Sequence, residues 1–91
     1  MRHMLSLTAL LLIYSTIIVP ENYKTIQEAV INASKEDTII VSEGIYKENV
    51  SITRPVSIRS RRGPDFTTIL AAVPSEPVFK ISNVNNVTIS G

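Results

Sequence analysis

Apolar and polar positions divide this 91-residue chain into two regimes. The first is a nearly unbroken apolar run. Leu5 to Ile13 is interrupted only by Ser6 and Thr8, and apolar character returns at Ile17 to Val19, so that 13 of the first 20 residues are apolar. The other 71 residues hold 27 apolar ones, arranged with short periods. In "TIQEAVINAS", Ile26, Ala29, Val30 and Ala33 follow the i, i+3, i+4, i+7 spacing of one helix face. Thr25 and Glu28 form T-x-x-E, a capping box in which hydroxyl and carboxylate each accept from the other's backbone amide. The spacing predicts a helix of about ten residues, ending near Ser34, that is too short to stand alone and must dock its apolar face. Tyr23, just ahead of the cap, is placed to fix how the chain enters.

After Asp37 the period changes to two. Apolar side chains recur as alternating pairs: Ile39/Val41, Val50/Ile52, Val56/Ile58, Ile69/Ala71, Phe79/Ile81 and Val87/Ile89. Each pair sets two side chains on one face of a strand. From residue 21 onward the chain holds 18 Ile plus Val against a single Leu, Leu70, and β-branched side chains favour strands over helices. Gly44, Pro55, Gly63-Pro64, Pro74, Pro77 and the "NVNN" bend punctuate the strands. Successive pairs are unevenly spaced, but every second pair recurs with a period near 20 residues, which predicts a coiled array with alternate pairs on one side. Two-residue hairpin turns such as Asn-Gly or Asp-Gly are absent, which argues against a hairpin sandwich.

The N-terminal run follows Arg2 and His3, and it reads as a secretory signal peptide with cleavage near Ser15, although no A-x-A site is present. Two other readings stay open: an uncleaved hydrophobic anchor over 1–15, and a buried core strand from Leu10 to Val19. Ile17 to Val19 is suited to serve as the first strand of a fold over 16–91. The expected location is therefore secreted or at the cell envelope, with membrane contact only through residues 1–15.

The string "YKTIQEAVINASKEDTIIVSEGIYKENVSI" resembles the opening of right-handed parallel β-helix proteins of the pectin-lyase-like superfamily. The matching positions are Tyr23, Thr25, Ile26, Gln27, Ala29 and Val30, then Asp37, Ile39, Val41, Gly44, Tyr46, Glu48, Val50 and Ile52. The later "PVSIRS", "TTILAA" and "VFKISNVNNVTISG" resemble further coils of surface and periplasmic members. The resemblance covers about residues 17 to 91. It implies a mainly β fold, a right-handed parallel β-helix of two or three coils whose first helix caps the open end. It also implies a turn at Gly44 and a Tyr46 packed beside the first coil. Pectinesterases share the same opening, but their catalytic Asp pair, Arg and Gln lie beyond the stretch matched here.

Composition narrows the chemistry. There is no Cys and one His, His3, so thiolate nucleophiles, disulfides and His- or Cys-based metal sites have no basis in residues 16–91. Copper, which some related β-helix proteins are labelled as binding, would have only His3, Met1 and Met4 as ligands. Nine basic and eight acidic residues give a net charge near +1, which provides no long-range field for nucleic acid. The carboxylates Glu21, Glu28, Glu36, Asp37, Glu43, Glu48, Asp65 and Glu76 are dispersed. Only Glu36 and Asp37 are adjacent, and strand neighbours point to opposite faces. No catalytic residue, cofactor or metal site is expected. "RSRRGPD" gathers Arg59, Arg61 and Arg62 into a candidate anion contact, with Arg54 nearby and Asp65 able to neutralise one of them; the alternative is a solvated loop. Asn32, Asn49 and Asn86 head N-x-S/T triplets and are candidate glycan acceptors in an exported chain. Asn83, Asn85 and Asn86 suit a bend with left-handed backbone.

These features lead to the expectation of an exported, non-catalytic β-helix module acting as a scaffold or carbohydrate-associated surface, with polysaccharide as ligand. The alternative is the N-terminal part of a carbohydrate-active enzyme of pectinesterase or polysaccharide-lyase type. Either way the last strand is expected to be covered, by further β-helix coils or by homo-association through the open end.

Overall fold

The computed structural model describes residues 15–91. The β-branched pairs form short strands, three or four residues each, separated by the Gly, Pro and Asn interruptions. In chain order they are β1 (Thr16–Val19), helix α1 (Ile26–Asn32), β2 (Thr38–Val41), β3 (Gly44–Lys47), β4 (Val50–Ile52), β5 (Ser57–Ser60), β6 (Thr67–Leu70), β7 (Phe79–Ile81) and β8 (Thr88–Ser90). The fold is mainly β with one short helix, and every strand pairing among the described residues is parallel. Residues 1–14, which hold most of the segment read as a signal or anchor, lie outside the described residues; the part of the Leu10–Val19 run that is described forms β1.

Three sheets result, with strand orders β1-β2-β5-β8, β3-β6 and β4-β7. Strands β2, β3 and β4 thus pair in sequence with β5, β6 and β7. Thr38 lies opposite Ser57, Gly44 opposite Thr67 and Val50 opposite Phe79. Parallel partners need a long excursion between them, because a two-residue turn reverses the chain. The scarcity of hairpin turn sequences is the counterpart of this arrangement.

Parallel register puts like side chains over like. Ile17, Ile39, Ile58 and Ile89 occupy equivalent positions across the four-stranded sheet, and their exposures run 8%, 0%, 2% and 41%. Ile52, fully buried, lies opposite Ile81, which is 48% exposed. All twelve buried apolar side chains fall between Ile17 and Ile58. The same side chain at the same register position is thus sealed on one strand and open on the last.

Helix α1 closes the other side of the core with Ile26, Ala29 and Val30, packing on β1, β2 and β4. Its first turn has four backbone amides without intrahelical partners, and each finds one. The Glu48 carboxylate accepts from Ile26 N at 2.8 Å and from Gln27 N at 3.0 Å. Thr25 Oγ1 accepts from Glu28 N at 3.0 Å, and Glu28 Oε1 accepts from Thr25 N at 3.2 Å, completing the capping box. At the other end the Arg54 guanidinium donates to Ala33 O at 2.8 Å, a cation where the helix dipole favours one.

The structure revises three sequence expectations. The helix is seven residues, Ile26–Asn32 with Ala33 as its extended C-cap, shorter than the ten expected. Gly44 does not make a turn; it opens β3, with φ of 147°, a value that L side chains rarely adopt. Alternate apolar pairs also do not share sheets throughout. Ile39 does pair toward the Val56/Ile58 stretch, but Val50 pairs with Phe79 and Ile58 with Ile89. The reason is the uncounted strand β3, whose "GIYK" lacks an alternating aliphatic pair, so that the arrangement repeats every three strands and not every two.

Candidate functional site

The residues that carry the sequence motif converge on the junction between α1 and the strands. Gln27, on the first turn of the helix, reaches β4: its Oε1 accepts from Ser51 N at 2.7 Å and its Nε2 donates to Ser51 O at 3.2 Å. Glu48, between β3 and β4, holds the helix N-terminus as described above. Asp37, just before β2, is 4% exposed, and its carboxylate accepts from Ser15 N at 2.9 Å and Ser34 N at 2.8 Å. One buried acid therefore ties the start of β1, the exit of α1 and the start of β2 together. The Tyr46 hydroxyl donates to Ser42 O at 2.8 Å. Burial raises the Tyr46 pKa above the ordinary tyrosine value, and the nearby negative charges of Glu48 and then Glu21 add to the rise.

Glu36 sits beside Asp37 in sequence but on an exposed, left-handed backbone with φ of 67°. Among the described residues no group of three His, Cys, Asp or Glu side chains is placed to hold a metal ion. Asp37 and Glu48 both face backbone amides.

The three arginines of "RSRRGPD" separate. Arg62 Nη1 meets Glu43 Oε1 at 2.7 Å, and its guanidinium lies over the Phe66 ring, 4.4 Å from the centroid. Arg61 Nη2 stands 3.9 Å from Glu21 Oε1. Both pairs are solvent-exposed. Their partners are Glu43 and Glu21 rather than the Asp65 that sequence proximity suggested. Arg59, exposed on β5, has no ion pair among the described residues.

Arg59 borders a cleft of about 490 Å³ at the open side of the sheets, lined chiefly by Val41, Ile58, Ile69, Phe79 and Ile89. The Thr67 hydroxyl, also on this wall, is buried without a hydrogen-bond partner. Sequence reasoning did not anticipate the cleft. Its only signal was the recurrence of aliphatic pairs up to Ile89.

The three sequon asparagines have different surroundings. Asn32 closes α1 on the surface, its Nδ2 donating to Glu28 O at 2.9 Å. Asn86 is exposed in the Asn-bearing bend, where it and Asn83 have φ of 61° and 53°. Asn49 is different in kind. Its Oδ1 accepts from Val73 N at 2.7 Å, while its Nδ2 faces the carbonyls of Pro77 at 2.9 Å, Glu76 at 3.2 Å and Val73 at 3.3 Å. That amide organises the segment leading to β7, and a glycan on Nδ2 would displace it.

Among the described residues no helix is long and apolar enough to cross a membrane. No family model, no curated protein and no solved structure matches this chain.

Proposed function

We propose that this chain is a non-catalytic scaffold module: the capped first coils of a right-handed parallel β-helix, exported to the cell envelope. The observation that carries the reading is the engagement of four polar side chains of the motif in holding the cap. Thr25, Gln27, Asp37 and Glu48 all bind backbone at the helix–strand junction. Strand pairing that is parallel throughout and repeats every three strands supports the β-helix. The basic, apolar start of the chain supports export.

The ligand class proposed for the outer surface is acidic polysaccharide. A guanidinium fork binds a carboxylate bidentately, and Arg59 is the one arginine of its cluster without a carboxylate partner among the described residues. Affinity electrophoresis of the full chain in gels containing polygalacturonate tests the ligand. Retardation that falls with added salt and with Arg59→Gln is expected. Unchanged mobility in both acidic and neutral polymers removes the carbohydrate part of the reading. Incubation with polygalacturonate and with methyl-esterified pectin is expected to release neither unsaturated uronate nor methanol, and either product overturns the non-catalytic assignment.

A further inference from the structure

We propose that the free edge of β3 is a docking edge for an extended peptide of a partner protein, one that carries an aliphatic residue with an acid two positions away. The proposal rests on the strand pairing alone and goes beyond the scaffold reading by naming a second surface and the chemistry of its partner.

The three sheets begin with β1, β3 and β4, and each of these strands has one edge without a partner strand. Two of the three edges are closed by a side-chain amide. At β1, Asn22 Oδ1 accepts from Ile18 N at 2.7 Å, and the Asn22 N–H donates to Ile18 O at 2.7 Å. At β4, Gln27 Oε1 accepts from Ser51 N at 2.7 Å, and Gln27 Nε2 donates to Ser51 O at 3.2 Å. The edge of β3 has no such cover. Gly44 N donates to Phe66 O and Glu48 N to Leu70 O, at 2.9 and 2.8 Å. A parallel ladder uses alternate residues of a strand, so Gly44, Tyr46 and Glu48 face β6, while the N–H and C=O groups of Ile45 and Lys47 face away. Those four groups have no hydrogen-bond partner among the described residues. Gly44 and Lys47 are exposed and Ile45 is 74% exposed, so the strand lies open to solvent.

Described chain frames this opening on both sides. Residues 20–25 run from the end of β1, beside Val41, to the start of α1 at Glu48. That is the span β3 covers in the next layer, and none of these residues bonds to β3. The chain ahead of Ser15 enters at the far end of β2, where Ser15 N meets Asp37.

Charge and pattern select the partner. Ile45 and Lys47 share the outer face of β3, opposite Thr68 and Leu70 of β6. An added strand sets alternate side chains beside them. An aliphatic one extends the open strip of Ile45 and Leu70, the latter 47% exposed, and an acid meets Lys47. The acids that flank β3 in the chain are already engaged, Glu43 by Arg62 and Glu48 by the amides of α1. Lys47 has no ion pair among the described residues. A lysine on a strand edge also discourages pairing with a like edge, which favours a foreign strand over a second copy. In strand addition, main-chain bonds supply affinity and alternate side chains supply specificity. With only two residues of β3 engaged, the dissociation constant is on the order of 10–100 µM.

Titration of the isotopically labelled full chain with acetyl-Ser-Glu-Thr-Val-Thr-Glu-Ser-amide, followed by nuclear magnetic resonance, tests the proposal. The acid-x-aliphatic-x-acid pattern reads the same in both directions, so parallel and antiparallel addition are served alike. Saturable shifts of the Ile45 and Lys47 amide signals are expected, and the exchange of these amides, fast in the free chain, is expected to slow. The same peptide N-methylated at Thr-Val-Thr keeps its charge but loses its donors, and it is expected to bind at least tenfold more weakly. So is the peptide with Lys in place of Glu. Lys47→Glu, with an unchanged far-UV circular dichroism spectrum, is expected to reverse the preference between the acidic and the basic peptide. No saturable shift up to about 1 mM peptide, equal binding of the N-methylated peptide, or a Lys47→Glu variant that binds as the parent does overturns the proposal. So does protection of the Ile45 and Lys47 amides in the free chain, the mark of an edge already taken by residues 1–14 or by a second copy.

Discussion

Replacing Glu48 by alanine removes the only side-chain acceptor for two helix amides, Ile26 N and Gln27 N, bonded at 2.8 and 3.0 Å. Hydrogen bonds to a charged group contribute about 1.5–3 kcal/mol each when buried. Here the site is partly buried, and water can replace some of what is lost. A carboxylate in the first turn adds about 0.3–1 kcal/mol through the helix dipole. The two bonds share one carboxylate and are not additive, so the expected loss is about 2 kcal/mol. For a domain of this size that is a fall in Tm of roughly 8–16 °C. Urea melts followed by far-UV circular dichroism measure it, with an unchanged m-value showing that the variant still unfolds from the same state. The internal comparison is Glu43→Ala, which removes an equally short contact, 2.7 Å to Arg62, between side chains that are 55% and 54% exposed. An exposed pair of this kind is worth at most about 1 kcal/mol. A Glu48→Ala loss no greater than that of Glu43→Ala refutes the reasoning that the motif glutamate is a cap.

Further outcomes follow from the same contacts. Ile39→Ala, at a fully buried position, is expected to lose about 3–4 kcal/mol in urea melts, whereas Ile89→Ala, in the same register column but 41% exposed, loses under about 1 kcal/mol. Asn49→Ala is expected to speed proteolytic cleavage between Ala71 and Val78, because the amide's contacts to Val73, Glu76 and Pro77 vanish; an unchanged cleavage pattern counts against the latch. Tyr46 has its pKa raised by burial and by Glu48 and Glu21, so its native form holds the proton more tightly than the unfolded chain. Its contribution is complete below pH 10.0, the ordinary tyrosine value, and is lost as pH rises through the higher native value. Stability measured across that alkaline window is expected to fall more steeply in the parent than in Tyr46→Phe.

Much of the fold is legible in the sequence because its elements obey local rules. The Thr25/Glu28 box and the Ile26, Ala29, Val30 face give the helix, and each of the six apolar pairs lies in a strand or at its boundary. Strand β3 is not legible. Tyr46 is its one partly buried position, Gly44 and Lys47 are exposed, and its outward Ile45 is 74% exposed, so neither alternation nor composition marks it. Missing one strand in three also shifts the inferred stacking, which is why Val50 aligns with Phe79 and not with Ile69. The polar residues show a sharper limit. Glu48, Asp37 and Asn49 act on segments more than twenty residues away, or on a helix end reached only after folding. Their sequence neighbours carry no sign of these roles. The arginine cluster is a converse case: three neighbours along the chain disperse because β5 ends at Ser60, leaving Arg59 on the strand and Arg61 and Arg62 in the following loop, where two carboxylates from earlier in the chain are within reach.

The central claim is parallel pairing of successive strand triplets, and nuclear Overhauser contacts in the isotopically labelled protein test it most directly. The account requires methyl contacts linking Ile17 to Ile39 and Ile39 to Ile58, together with parallel backbone contacts between β3 and β6 and between β4 and β7. Close Hα–Hα contacts between β2 and β3, or between β3 and β4, are the mark of antiparallel hairpins and would contradict it.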